Sequence, residues 1–298
     1  MATLELLQRK IATAGDLQSV VATMKTLAAV SIHQYERAAD ALADYMRTIE
    51  LGLQIVLREH REWNMPVVPD GNIAAVVFGS DQGMCGQFNE LIASFAIEHH
   101  SSQHRRPPHA TCVVGGRAQF ALVDAGWPID KAFRIPTSVQ EIADCVSDLL
   151  TAIEQLRKER NITTIRVYSN VRSKARTYEP QARQLLPISS DWLHSLRTRK
   201  WESCSLPTYA ADCDELMSLL IRQSLYVALY RACAESLASE NASRIAAMQA
   251  AEKNIDETLE ELNMSFKTQR QTDITEELLD VVIGFEALTS ARKPAVGS

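Results

Sequence analysis

The chain has 298 residues, 46% hydrophobic and 23% charged, enough for one or two packed domains. Its net charge of −6 argues against nucleic acid as the main partner, because neutralising phosphates takes a basic surface. The acidity is uneven: residues 208–298 carry 8 basic and 15 acidic side chains, residues 65–207 carry 16 and 14, and a solvated helix face is the plain account of it.

The six cysteines, Cys85, Cys112, Cys145, Cys204, Cys213 and Cys233, form no CxxC pair and no zinc spacing. Most sit beside apolar residues, as reduced core cysteines do, which suits a reducing compartment. The opening MATLELLQRK lacks the apolar core of a signal peptide. No apolar run approaches the roughly 20 residues of a spanning helix, so membrane association is expected only through a partner.

Nine of the ten prolines lie between Pro66 and Pro207. The proline-free ends are far longer than an ordinary globular helix. In the first, Ala28, Ile32, Tyr35, Ala39, Leu42, Met46, Ile49, Leu53 and Val56 alternate in steps of four and three, a heptad seam. Leu7, Ile11, Ala14, Val21 and Met24 continue it upstream, with one irregularity near Gly15. About sixty residues at ~1.5 Å each predict a helix of ~90 Å.

The middle has another texture. Ile73–Phe78, Ala110–Gly115 and Ile162–Ser169 read as buried strands, with helices at about 87–100, 116–125 and 138–158 between them. Weaker strands are expected at 131–135 and 184–188. Strand–helix alternation predicts a small parallel α/β sheet.

The last segment repeats the first. Leu216, Leu220, Val227, Tyr230, Ala234, Leu237, Ile245, Met248, Ile255, Leu259, Leu262 and Phe266 fall near helical spacing. Such a stripe needs a partner, and the simplest is the other terminal helix packed antiparallel. The expected fold is therefore a long antiparallel coiled coil of N- and C-terminal helices (1–64 and 208–298) with an inserted small parallel-sheet α/β domain (65–207).

The most enzyme-like stretch is the turn from Gly79 to Asn89, which follows a strand and opens a helix. Neither GxGxxG nor GxxxxGK[ST] is present. An anion cradle or a Cys85 nucleophile is one reading. A tight structural turn with Ser80 or Asp81 as a helix cap is the other, and the preferred one. His99, His100, His104 and His109 flank Pro107-Pro108 and read as an exposed loop rather than a metal site. Without further information the chain is a coiled coil displaying an α/β domain, an interaction scaffold.

Longer motifs sharpen this. QRKIATAGDLQSVVATMKTLAAV, SDQGMCGQFN at 80–89, QLLP at 184–187, ESLASENASRIAAM at 235–248 and FKTQRQTDITEELLDVVIGFEAL at 266–288 resemble, in order, segments of the gamma subunit of F-type ATP synthases, over nearly the whole chain. The resemblance implies a non-catalytic central stalk that couples ion translocation to ATP synthesis or hydrolysis. It implies partners in the alpha and beta subunits, the epsilon subunit and the membrane ring of c subunits, with no cofactor or metal. It implies coupling or partner contacts at Met24, Lys25, Arg270, Gln271, Thr275 and Glu277, and an apolar bearing at Phe285 and Leu288. It also implies a peripheral location on the cytoplasmic face of a bacterial inner membrane. Three departures stand out. The family's basic KLRRA run is replaced by Val30-Ser31-Ile32-His33-Gln34-Tyr35, Gln82 stands for Arg in the turn, and Phe285 stands for Ala near the end. They point to a divergent or alternative copy of the complex, one working mainly as an ion-pumping ATPase.

Overall fold

The computed structural model describes residues 2–60, 63, 71–104, 106–173, 177–201, 204–205 and 207–291, with side chains left undescribed at 2–3 and 286–291. Helix α1 spans Ala2–Glu59 and helix α6 spans Cys213–Ala291. Between them come β1 (Asn72–Phe78), α2 (Phe88–Gln103), β2 (Ala110–Val114), α3 (Gly116–Asp124), β3 (Lys131–Phe133), α4 (Val139–Arg160), β4 (Ile162–Val171), β5 (Glu179–Leu186) and α5 (Ser190–Thr198). The chain forms two compact units, one of Leu27–Ala247 and one of Met1–Thr26 with Met248–Ser298.

The larger unit is built on a five-stranded sheet in the order β3-β2-β1-β4-β5. The pairs β1·β2, β1·β4 and β2·β3 are parallel, as the strand–helix alternation predicts. The edge strand β5 corrects the expectation of a purely parallel sheet, for it runs antiparallel to β4. Few residues lie between β4 and β5. That is too short for a crossover, so the chain can only fold straight back.

Strand β1 is buried on both faces, which is why it reads as an apolar run without alternation. Ala74, Val76 and Phe78 join one core with Leu149 and Ile153 of α4, Leu193 and Leu196 of α5, Leu53 and Leu57 of α1, and Leu229 and Leu237 of α6. Ala75 and Val77 face the other core, with Ile92 and Ala96 of α2 and Ala118 and Leu122 of α3. Each fully buried Leu, Ile or Phe contributes about 1.5–3 kcal/mol.

Helix α4 carries its own boundary signals. Ser138 accepts from the Glu141 N–H at 3.4 Å, and Glu141 reaches back to the Thr137 N–H at 2.8 Å. The sequence Ser-Val-Gln-Glu is that of a capping box, with the return bond made to the residue before the cap. Those bonds to the ionised form hold the Glu141 carboxyl below its ordinary range. At the other end Asn161 closes the helix in the left-handed region at φ 51°.

Between Ala232 and Ser243, α6 buries nearly every residue, on all sides of the helix. Ala, Ser and Cys dominate the stretch, and their small side chains let other elements approach the backbone. Two of its polar members bond to the helix itself: Ser239 Oγ donates to Glu235 O at 2.8 Å, and Asn241 Nδ2 donates to Leu237 O at 2.8 Å, whereas the buried Ser236 Oγ has no partner among the described residues. Burial raises the Glu240 carboxyl pKa, while Arg244, paired to it at 2.6 Å, opposes that rise.

Candidate partner-contact surface

In the smaller unit the first turns of α1 meet the second half of α6. The seam positions on α1 are Leu4, Leu7, Ile11, Ala14, Gln18, Val21 and Lys25, all buried or half-buried and in strict steps of three and four, with the half-buried Gly15 and Met24 beside them. Those on α6 are Met248, Glu252, Ile255, Leu259, Leu262, Phe266, Gln269 and Asp273, in the same steps. Both helices therefore present a heptad seam. The apparent irregularity near Gly15 is corrected: the phase never breaks, but two seam positions hold polar residues.

Those two residues reach across. Lys25 Nζ lies 2.5 Å from Glu252 Oε2, with about a third of each side chain exposed. Gln18 Nε2 donates to Asp256 Oδ1 at 2.6 Å. Moving back along α1 moves forward along α6, so the pair is antiparallel.

Met24 sits half-buried beside the seam. Arg270, Gln271, Thr275 and Glu277 are exposed on α6, and Thr275 Oγ1 donates to Gln271 O at 2.8 Å. They follow one another within about two turns of the helix. Past Asp273 the apolar residues Ile274, Leu278, Val281, Val282 and Ile283 are about half or more exposed, and Phe285 is 71% exposed. An apolar helix end of this kind marks an interaction surface. The side chain of Leu288 lies outside the described residues.

The glycine-rich turn is closed. Ser80 is fully buried: its N–H donates to Asn89 Oδ1 at 2.9 Å, and Asn89 Nδ2 returns a bond to Ser80 Oγ at 2.9 Å. Asp81 does serve as an acceptor for backbone N–H groups, but not at α2. Its two oxygens take the N–H of Gly116, at the start of α3, at 2.6 Å and that of Ile135 at 2.9 Å. Ser243 of α6 donates to Cys85 O at 2.6 Å. Helix α6 thus lies against the strand C-termini, the place where open α/β sheets bind ligands.

Burial raises the Cys85 thiol pKa. A thiol kept protonated is a poor nucleophile, which removes the support for Cys85 catalysis. In the native full-length chain, mild alkylation is expected to label the exposed Cys204 well before the buried Cys85, with Cys85 reacting only on unfolding. Peptide mass spectrometry of a labelling time course checks this.

The histidines are not simply an exposed loop. His100 is 3% exposed, its Nε2 bonds Arg106 O at 2.9 Å, and burial lowers its pKa. His99 packs its ring against Tyr168 at 5.8 Å, and His109 Nδ1 accepts from the Ile73 N–H at 3.2 Å. Among the described residues no three His, Cys, Asp or Glu side chains converge as a metal would require. A cleft of about 860 Å³ opens beside the start of β4, lined by apolar Leu150, Ile153, Ile165 and Leu225 and rimmed by Arg157 and Arg222.

The sequence reading missed Gln18, Glu252 and Asp256. Carrying the heptad phase through Gly15 without interruption would have found Gln18, which falls with Lys25 where apolar residues are due, and the step from Met248 to Ile255 points to Glu252; the exposed Asp256 lies outside the seam and has no such signal.

A family model described as ATP synthase matches residues 3–288. The ATP synthase gamma chain of Sinorhizobium fredii is 26% identical over 300 residues, covering 97% of this chain and all of that one. The ATP synthase gamma chain of a Cyanothece species is 28% identical over 315 residues, with the same coverage. A chain in the mitochondrial ATP synthase of Euglena gracilis superposes with a TM-score of 0.66 at 16% identity, covering all of this chain and 97% of that one. A chain in the central stalk and c-ring structure of Tetrahymena thermophila superposes with a TM-score of 0.56 at 17% identity, covering 78% and 99%. These two likenesses bear on the fold.

Proposed function

The chain belongs to the ATP synthase family, and from that premise we propose that it is the gamma chain of a rotary F-type ATP synthase or ATPase, its central-stalk shaft. One observation carries the reading. Gamma chains are matched from end to end, and the ends so matched form an antiparallel helix pair whose longer member runs on into an exposed apolar tip.

The role is mechanical. An asymmetric shaft inside a ring of three like sites touches each of them differently. Turning it changes which conformation each site favours, and differential contact is the only way one component can shift another's equilibrium. The chain supplies no nucleophile, base or nucleotide cradle to that chemistry, consistent with the closed turn at Ser80 and the buried Cys85 thiol.

The alpha and beta subunits surround the helix pair in this reading, and the globular unit meets epsilon and the c-ring. Arg270, Gln271, Thr275 and Glu277 are exposed as partner contacts must be, and Arg270 suits a carboxylate through paired charge-assisted hydrogen bonds. Phe285 belongs to a bearing formed with the apolar tip, and Leu288 follows it in sequence. Among the described residues no helix is long and apolar enough to cross a membrane, so attachment runs through the c-ring. The bacterial relatives favour the cytoplasmic face of an inner membrane. The chain divides functionally into helix 1–64, globular 65–207 and helix 208–298.

Co-expression with alpha and beta subunits from the same source tests the assignment. A stable complex containing this chain is expected, and the chain alone should hydrolyse no ATP. Failure to join an alpha–beta assembly would count decisively against it.

A further inference from the structure

His100, in the last turn of α2, is the one buried histidine among the described residues. Its Nε2 lies 2.9 Å from Arg106 O. A carbonyl oxygen only accepts, so Nε2 carries a proton. Nδ1 is buried and has no hydrogen-bond partner among the described residues. In the neutral ring Nδ1 is a bare lone pair. A second proton would go there and leave a charged N–H with no acceptor, which costs far more.

The surroundings oppose that proton too. From α2 itself His104 faces the ring, with centroids 5.0 Å apart. Arg106 and His109 follow in the chain, and Arg166 lies on β4. The ionisable groups that act on His100 most, His104, Arg166 and His109, are all basic. Trp127 stands 5.7 Å away, and Ala125, Gly126 and Ile73 line the space nearby. None of these four can supply a countercharge.

The same bond is a tether. Arg106 and Pro107 are exposed, and among the described residues the bond from His100 is the only hydrogen bond either of them makes. Two cavities of about 310 and 320 Å³ share His100, His104, Arg106 and Pro107 in their walls.

We infer that His100 is an acid-released latch: neutral, it holds Arg106 to the end of α2, and on taking up a proton it leaves its pocket, frees Arg106-Pro107 and joins the two cavities. The sign follows from burial. Burial holds the ring's pKa below the ordinary imidazole value of 6.5, so the latch is complete above that value and is lost as the pH falls through it toward the lower one. For one proton the open population grows by up to about tenfold per pH unit. All these residues belong to the larger unit, so the latch operates whatever complex the chain joins.

Hydrogen exchange of the full-length chain, read by mass spectrometry from about pH 7.5 to about pH 5 and corrected for the intrinsic rate, tests the latch. The His104 N–H donates to His100 O and the His109 N–H to Ile73 O. Both should exchange several-fold faster at the acid end, while β1 stays protected. His100→Gln keeps a donor for Arg106 O and cannot charge, so its exchange should stay flat. His104→Gln removes a cation beside the ring and should move the acceleration to higher pH. It decides the matter if His100→Gln fails to fold by circular dichroism. No acceleration in the unaltered chain overturns the inference. So does an acceleration that persists in His100→Gln, one that reaches β1 equally, or one that His104→Gln leaves unmoved.

Discussion

Gly115→Ala should destabilise the larger unit by about 4 kcal/mol. Gly115 has φ +107°, which an L side chain rarely adopts, and a Cβ there would lie 2.7 Å from Ser80 N and 2.9 Å from both Gly79 C and Ser80 O. All three are backbone atoms of the turn, which cannot swing aside as a flexible side chain would. Backbone strain of about 1–3 kcal/mol adds to overpacking of about 1–3 kcal/mol. The damage should spread, because Gly115 N–H donates to Phe133 O at 2.9 Å and Gly79 N–H donates to Val114 O at 2.8 Å, tying three strand ends together. Urea unfolding followed by tryptophan fluorescence reads this unit, since all four tryptophans lie within 27–247. The midpoint should fall without a change of slope. Gly79→Ala is a useful companion. Its Cβ would come within 2.2 Å of Ala118 Cβ, so Ala118→Gly should recover part of that loss but none of the loss at Gly115.

The second large effect is on coupling. Arg270→Ala/Gln271→Ala should leave the chain folded, because both residues are exposed on a helix and alanine is the best helix former. A charge-assisted bond from Arg270 to a partner carboxylate is worth about 1.5–3 kcal/mol, and about 1.4 kcal/mol is a factor of ten in rate. ATP-driven ion pumping by the reconstituted complex should therefore fall at least about tenfold, with this subunit still co-purifying. A double variant that assembles and pumps normally would show that the partner contacts lie elsewhere on the helix.

Much of the fold was legible in the sequence because its signals are repeated. The heptad from Ala28 to Val56 and the stripe from Leu216 to Phe266 each recur many times, and every residue named in them is buried or half-buried. The strands of the middle are apolar runs because the sheet is covered on both faces. Strand β5 was harder: Glu179 to Leu186 alternates poorly and contains Pro180, a pattern that belongs to an edge. Helix α5 is nine residues long, too short for a periodic signal to stand out.

The candidate surface was less legible. Arg270, Gln271, Thr275 and Glu277 look like any solvated helix residues, and only the order of the surrounding motif distinguishes them. Lys25 stands beside Met24 and is marked in the sequence only by its place in a motif, whereas its pairing with Glu252 depends on a helix phase that spans the apolar positions on both sides. The turn at Gly79 drew attention because glycine-rich loops after strands often hold anions. Here the glycines serve closeness: Ala118 occupies the space a side chain at Gly79 would need.

The buried stretch of α6 from Ala232 to Ser243 limits what substitution can explore there. Every side of the helix is occupied, so nearly every position has an upper bound on size, and Ser239, Asn241 and Ser243 are bound as well by the hydrogen bonds they make. Gene variants that enlarge these residues should be purged whatever the rest of the chain does. The exposed turns beyond Asp273 are limited instead by the partners they touch. Across divergent copies, then, the Glu235–Ser243 segment should change most slowly, and it will remain readable in chains whose exposed helix faces have lost all likeness.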